Sequence, residues 1–396
     1  MISVSEAKQI ITGQDFQPGQ QKISTLQAVN AVLAEPVYAI CDIPGFVQSS
    51  MDGYAFRFED WLNGQSLAVT TEVPAGKNEK DTLLPGQAAR IFTGAALPDG
   101  ADTVVMQEKA SIENRSLVIA DGQLKRGSNT RLKGAEIGRG DLAMDKNACL
   151  SAAAVGFLSG IGIAEVVTFS NPSVGIIITG NELQSPGLPL HHGQVYDASS
   201  SMLQAALYQM DIRGVALYRS ADTLQEVITQ LNTALQANDV VLITGGVSVG
   251  DYDFVVQACG ACAVDTLFHR VKQRPGKPLF FGRKHNKPVF GLPGNPSSVL
   301  SCFYEYVWPL LRRLSGKPDA LTTFTVPLRE DYDKVNDLTQ FLKGHYQKGE
   351  VQPLFAQESF RLRSFAMANC LIQLDEDMKS NKKGDLVEIH LLPVYG

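Results

Sequence analysis

The sequence predicts a multidomain α/β plus β fold. It comprises a central, mostly parallel α/β module, a small inserted β domain, an elongated discontinuous helical/β domain and a C-terminal β domain. Three observations carry this expectation. From Val174 to Leu314 apolar β-branched runs alternate with amphipathic helical stretches, as in strand and helix repeats on a parallel sheet. Between Cys41 and Asp141 short apolar runs alternate with glycine-rich turns, the pattern of a small β domain. A chain of 396 residues is also long enough for two or three ordinary domains.

In chain order, residues 1–40 carry a helical apolar pattern that includes Leu26, Val29, Val32 and Leu33, set among glycines and prolines. Residues 41–140 form the β domain, with strands expected at Ser66 to Thr71, Gln87 to Phe92 and Thr103 to Gln107. The alanine-rich stretch Leu150 to Leu158 reads as a helix, so 141–171 is expected to return beside 1–40 as a single discontinuous packing element. The α/β module spans 172–317. It opens with a strand at Val174 to Ile178 and a helix around Ser200 to Met210, whose stripe of Leu203, Ala206, Leu207 and Met210 is core packing, with Ser199 or Ser200 as cap. A strand at Ala216 to Tyr218 precedes a helix carrying Leu224, Val227, Ile228, Leu231 and Leu235, with Asp222 and Gln225 at capping-box spacing. Further strands at Val240 to Ile243 and Val289 to Leu292 follow, and the second leads into a helix bearing Val299, Phe303, Val307, Leu310 and Leu314. Residues 318–396 return to short β segments at Thr323 to Leu328, Cys370 to Leu374 and Leu386 to Leu392.

Composition narrows the function classes. Lysine plus arginine is 35 against 41 for aspartate plus glutamate, a net charge of −6 that does not suggest a nucleic-acid binder. No apolar run is long enough to cross a bilayer, and the start lacks a basic region followed by an apolar stretch, so a soluble cytoplasmic protein is expected. The six cysteines are too sparse for a secreted disulfide framework. Cys259-Gly-Ala-Cys262 is compatible with thiol exchange or half of a zinc site, but no second pair accompanies it and core packing is the favoured reading.

Two loops at strand ends carry the chemistry. The segment Thr244 to Asp253, TGGVSVGDYD, offers glycine backbone donors from Gly245, Gly246 and Gly250, hydroxyls from Thr244 and Ser248, and carboxylates from Asp251 and Asp253. It is neither a Walker A loop nor a dinucleotide fingerprint, and reads either as a phosphate site or as a structural turn. Gly291 to Ser298, GLPGNPSS, is a second rigid loop in which Pro293, Gly294, Asn295 and Pro296 constrain the backbone and Ser297 or Ser298 is available as cap. Two such loops at one sheet edge favour an anionic ligand. Between Asp265 and Lys287 seven basic residues, Arg270, Lys272, Arg274, Lys277, Arg283, Lys284 and Lys287, face one acid, giving a local charge of +6 that serves either a polyanionic ligand or a solvated face. A dispersed acidic set, Asp52, Glu182, Asp197, Asp222, Asp251 and Asp253, supplies oxygen ligands suited to magnesium if folding brings several together.

These features combine with SMDGYA at Ser50, RIFTGA at Arg90, GADTVV at Gly100, TGNEL at Thr179 and RPGKP at Arg274. Together they resemble the molybdenum insertase family, molybdopterin molybdenumtransferases related to the gephyrin E domain, over nearly the whole chain. The resemblance implies that the α/β module binds molybdopterin and that the chain takes adenylylated molybdopterin and molybdate as substrates. Molybdenum is then inserted between the dithiolene sulfurs, AMP is released, and Mg2+ assists. It also implies a homodimer, with a molybdopterin adenylyltransferase and molybdoenzymes as delivery partners. Membrane and nucleic acid are not expected.

By the same resemblance Asp253, Glu182 and Asp222 place the cation and the adenylylated phosphate, while Asp52 and Thr93 organise the reaction side of the cleft. Arg270, Arg274 and Lys277 counter phosphate or molybdate charge, and the two loops hold the pterin phosphate. The chain departs from the common family pattern at Asn181 in TGNEL, at Ala198 and Ser199 after Tyr196-Asp197, at Ala135 before Glu136, and at Arg270 and Arg274, where lysines are frequent. A molybdopterin adenylyltransferase and a non-enzymatic molybdopterin-holding scaffold are the alternative readings.

Overall fold

The computed structural model describes residues 1–246, 254–318, 321–334 and 336–393. They fall into two compact units, Lys22–Thr168 and a second made of Met1–Gln21 with Phe169–Gly396.

The second unit contains the α/β module. Its six-stranded sheet runs in the order Val215–Ser220, Val174–Thr179, Val240–Thr244, Lys287–Leu292, Phe280–Lys284, Asp265–His269. The first four strands are parallel, and the last two pair antiparallel. Val174–Thr179 and Val240–Thr244 are buried along their whole length, which is why they read as continuous apolar runs without alternation. Helices cover both faces. On one face Val227, Leu231 and Leu235 of helix Leu224–Ala237 pack with Val255, Ala258 and Cys259 of helix Phe254–Ala261. Cys259 and Cys262 are buried there, and burial raises both thiols, so they pack as core residues. On the other face helix Ala198–Gln209 and the long helical run from Pro296 to Leu314 meet helix Val4–Thr12, which is opened by a reciprocal Ser3 and Glu6 capping box. The long run loosens into a π-helical turn at Phe303–Val307.

The same core continues into the C-terminal sheet, ordered Gln273–Arg274, Thr339–Gln347, Cys370–Leu374, Leu386–Leu391, Thr323–Pro327, with Glu350–Pro353 on Thr339–Gln347. Gln273 and Arg274 pair in parallel with Thr339 and Gln340. A stretch leaving the α/β module thus becomes an edge of the C-terminal sheet. Thr339–Gln347, nine residues long, was not among the sequence-predicted strands; its first six residues are all buried, so no alternation marks it.

The unit Lys22–Thr168 is built on a six-stranded sheet in the order Thr103–Met106, Gly53–Phe56, Gln87–Ile91, Leu67–Val73, Ser116–Ile119, Ala110–Glu113. Helix Ala152–Gly160 is capped by Ser151. The helical pattern expected around Leu26 to Leu33 is not a helix: only Leu26–Ala28 makes a single 3₁₀ turn, with Leu26 and Val29 exposed and Val32 and Leu33 buried. Spacing alone could not reveal that these side chains face different surroundings.

Three expected caps differ as well. Helix Ala198–Gln209 is capped by Asp197, which accepts from the Ser200 amide and hydroxyl at 3.0 and 2.6 Å. Helix Leu224–Ala237 is capped by Thr223 rather than Asp222. Helix Pro296–Cys302 takes Asn295 as cap residue without a side-chain cap bond. In the first and third helices the cap stands before the residues expected from sequence, whereas in the second it stands one residue after, which leaves Asp222 outside the helix and available to the loops.

Candidate active site at the strand ends

The strands Val174–Thr179, Val215–Ser220, Val240–Thr244 and Lys287–Leu292 point their C-terminal ends the same way. The loops leaving them line one cavity of about 1090 Å³. Strand ends of an open parallel sheet are where ligands of such folds collect. Thr244, Gly245 and Gly246 line it from one strand, and Pro293, Gly294, Asn295 and Pro296 from the next. The two loops touch: Gly245 donates to the Leu292 carbonyl at 3.3 Å, and a Cβ at Gly294 would meet Gly245 Cα at 3.9 Å. Gly245 is required by geometry, because it adopts φ 84° and a Cβ there would lie 2.6 Å from Thr179 Oγ1.

Glu182 and Asp222 enter the same cavity from two further loops. Asn181 and Asp222 clasp one another: the Asn181 amide donates to Asp222 Oδ2 at 3.1 Å and the Asp222 amide to Asn181 Oδ1 at 3.4 Å. The departure at Asn181 therefore keeps an acceptor in place while removing one negative charge. Asp197 also lines the cavity; it is 1% exposed, and its carboxylate is engaged by Ser200 with Arg219 at 3.8 Å.

The basic run divides. Arg274 and Lys277 line the cavity, whereas Arg283 is paired with Asp15 at 2.9 Å and Lys287 Nζ donates to the Leu235 carbonyl at 2.5 Å. The loop carrying Arg274 and Lys277 is anchored from behind by Gln273, 1% exposed, which donates to the Gly276 carbonyl at 3.1 Å and accepts from the Tyr306 hydroxyl of the π-helical turn. Gly276, at φ 88°, leaves no room for a Cβ, which would sit 2.3 Å from Cys302 Sγ.

Among the cofactor residues expected from sequence, Arg270 and Ser297 do not line the cavity. Arg270 lies in a left-handed turn at φ 72°, bonded through its backbone to Leu279 and Ile2. Ser297 is buried, and its amide donates to the Ser359 carbonyl at 3.2 Å. Ser248, Gly250, Asp251 and Asp253 lie outside the described residues.

Asp52 and Thr93 belong to the other unit, where they form a pair. The Thr93 amide and hydroxyl both donate to Asp52 Oδ1, at 2.7 and 2.8 Å. Those two bonds, the amide first, hold the Asp52 carboxyl below its ordinary range, and Arg90 adds to the effect. Arg90 itself is packed over the rings of Tyr54 and Phe92 and donates to the Gly53 carbonyl.

Sequence reasoning missed the contribution of the C-terminal sheet: Gln357, Glu358, Ser359 and Phe360 line the cavity. They stand in a loop without secondary structure, and the strand that carries it was itself hidden. Asn295 Nδ2 donates to Ser359 Oγ at 2.9 Å, joining this loop to GLPGNP.

Fold and cavity together define a multidomain α/β protein with a cleft suited to an anionic ligand. Residues 2–162 match the MoeA N-terminal region (domain I and II), 175–313 a probable molybdopterin binding domain, and 325–392 the MoeA C-terminal region (domain IV). A Haemophilus influenzae protein named molybdopterin molybdenumtransferase is 31% identical over 411 residues, covering 99% of this chain and 100% of its own length. A Nostoc protein of the same name is 38% identical over 310 residues, 76% of this chain and 71% of its own length. A solved Pyrococcus horikosii structure, titled as a molybdopterin biosynthesis MoeA protein, superimposes with a TM-score of 0.87 at 29% identity, covering 99% of both chains. The chain belongs to the MoeA family, enzymes of molybdenum cofactor biosynthesis.

Proposed function

We propose that this chain is a molybdopterin molybdenumtransferase that takes adenylylated molybdopterin and molybdate, places molybdenum between the dithiolene sulfurs and releases AMP. The observation carrying this reading is that one strand-end cavity is lined by two glycine and proline loops, the carboxylates Glu182 and Asp222, and the cations Arg274 and Lys277. Backbone amides of Gly246 and Gly294 suit phosphate oxygens, and Arg274 offers a planar set of donors for paired oxygen contacts. Lys277 supplies a second positive charge against molybdate or phosphate. Holding both anions in one cleft replaces a bimolecular encounter by a positioned one.

Asp52 and Thr93 organise the reaction side. By the family resemblance, Asp52, ionised beside Thr93, would take a proton from the water that cleaves the phosphoanhydride, so that AMP leaves; as two Mo–S bonds form, one molybdate oxygen departs as water with the two dithiol protons. Asp253 joins Glu182 and Asp222 in the assignment carried by the family resemblance. Among the described residues no three or more histidine, cysteine or acidic side chains form a metal-holding group. Two carboxylates in a cleft fit a hard divalent cation such as Mg2+; Glu182 and Asp222 would hold it, and it would offset the negative charge of the phosphates. The protein acts as a cytoplasmic homodimer.

The test is a reconstituted reaction with purified protein, adenylylated molybdopterin and molybdate, comparing wild type with Asp52→Ala and Glu182→Ala. Both variants are expected to stay folded and to lose at least about tenfold in rate, as when a positioned acid or base is removed. Wild-type rates in both would remove these assignments.

A further inference from the structure

Residues 356–361 form a short strap along the cavity, and its backbone is held far more firmly than an exposed loop requires. Lys343 is 2% exposed on strand Thr339–Gln347, and its Nζ donates to three strap carbonyls: Ala356 at 2.7 Å, Arg361 at 3.1 Å and Glu358 at 3.4 Å. Gln357 bonds the Lys343 main chain in both senses, accepting from its amide at 3.0 Å and donating to its carbonyl at 2.9 Å. On its other side the strap is tied to GLPGNP through Ser359, by the Asn295 side chain at 2.9 Å and the Ser297 amide at 3.2 Å. Burying an ammonium is unfavourable, and burial pulls the Lys343 group down to about 8. Its hydrogen bonds go to the strap, so its evident consequence is a fixed strap backbone.

What the strap presents is an aromatic ring. Phe360 lines the cavity and is nevertheless 63% exposed, although the strap's neighbours Phe365 and Ala368 are buried in the core below it. The guanidinium of Arg361 stands 5.2 Å from the ring centroid. A single exposed phenylalanine on a mobile loop would mean nothing. A rigidly held one on the wall of a cleft otherwise lined by backbone, carboxylates and cations is a preorganised apolar surface, and a flat π system is the ligand shape that uses it best.

We propose that the Phe360 ring is the stacking wall for a flat heterocycle of the ligand, and that Lys343 is a positioning residue that sets the strap presenting it. The inference deepens the proposed function and rests on it, because adenylylated molybdopterin carries two such heterocycles, pterin and adenine. Their shared chemistry is a planar nitrogen ring joined to phosphate, and two binding arms separate them.

The experiment measures equilibrium affinity of the full-length protein for AMP and, separately, for molybdopterin, with wild type and with Phe360→Ala, Phe360→Leu and Phe360→Trp. The ring that stacks should lose about tenfold in affinity in Phe360→Ala, in the range seen for bases on aromatic side chains. Phe360→Leu should recover little of this despite its apolar bulk, and Phe360→Trp should bind within about threefold of wild type, since a larger π surface keeps stacking. In turnover, Lys343→Met should raise KM with a smaller change in kcat, and Lys343→Arg should recover most of the loss. Trypsin should cut after Arg361 sooner in Lys343→Met. Wild-type affinity for both probes in Phe360→Ala and Phe360→Leu, with normal wild-type turnover, overturns the stacking role while leaving the proposed function standing. A wild-type protein that binds neither probe overturns both readings.

Discussion

Replacing Gly245 by alanine tests whether the floor of the cleft is as tightly determined as its geometry implies. The residue adopts φ 84°, and its new Cβ would lie 2.6 Å from Thr179 Oγ1 and 3.0 Å from the Thr179 carbonyl. The left-handed backbone costs an L-residue about 1–2 kcal/mol. Relieving the contact moves a buried hydroxyl that now donates to the Thr244 carbonyl at 3.1 Å, which removes roughly 1 kcal/mol more. A loss of about 2–3 kcal/mol corresponds to a fall of roughly 5–10 °C in Tm for a unit of this size. Gly294→Ala is the internal control: its Cβ would find nothing nearer than Gly245 Cα at 3.9 Å, an ordinary contact. That variant should melt within about 2 °C of wild type, as most unstrained substitutions do. Thermal denaturation followed by circular dichroism reads both. Equal melting temperatures for Gly245→Ala and Gly294→Ala would refute the reasoning, because strain and crowding at Gly245 are its only ingredients.

Three further outcomes follow from other parts of the molecule. Burial raises Glu305, but Lys8 and His390 more than offset this and hold it at about 2; its contribution is present above about pH 4.5 and is lost as pH falls toward 2. Burial lowers His390, but Glu305 outweighs it and the group is raised above 6.5, so its contribution is present below that pH and lost as pH rises through the raised value. Glu305→Gln should therefore lower Tm and flatten both limbs of the profile in melts from pH 3 to 9; an unchanged profile would contradict the coupling. Gln273→Leu removes the anchor behind Arg274 and Lys277, and leaves the Tyr306 hydroxyl without its acceptor. It should cost about 1–3 kcal/mol in denaturant unfolding and raise KM, and a wild-type KM would show that the loop holds its shape unaided. Iodoacetamide should label the exposed Cys41 and Cys149 well before Cys259 and Cys262, as read by mass spectrometry; early labelling of the buried pair would argue against core packing.

The α/β module was legible because burial on both sheet faces leaves continuous β-branched runs such as Val174 to Ile178 and Val240 to Ile243, bounded by glycine and proline. Both strand-end loops could be placed from those runs alone. What stayed hidden was set by contacts distant in sequence. Thr339–Gln347 is buried along its first six residues and carries a lysine in its middle, so neither alternation nor an apolar run betrays it. Lys343 becomes intelligible only when the carbonyls 13 to 18 residues further on are seen around it. The split of the basic run has the same origin, since Arg283 is drawn away by Asp15, 268 residues distant. The misplaced caps are a local failure: several adjacent residues could each cap, and the direction of the preceding loop decides among them. Asp52 and Thr93 were paired by resemblance, and their two hydrogen bonds give that pairing a physical basis.

The most direct test of the account is to follow AMP release and active cofactor formation together in one reconstituted reaction at low molybdate. Equal yields of AMP and molybdenum-loaded cofactor, both lost in Asp52→Ala, are the predicted result. Conversion of molybdopterin and MgATP into the adenylylated intermediate, with no molybdenum inserted, would contradict it.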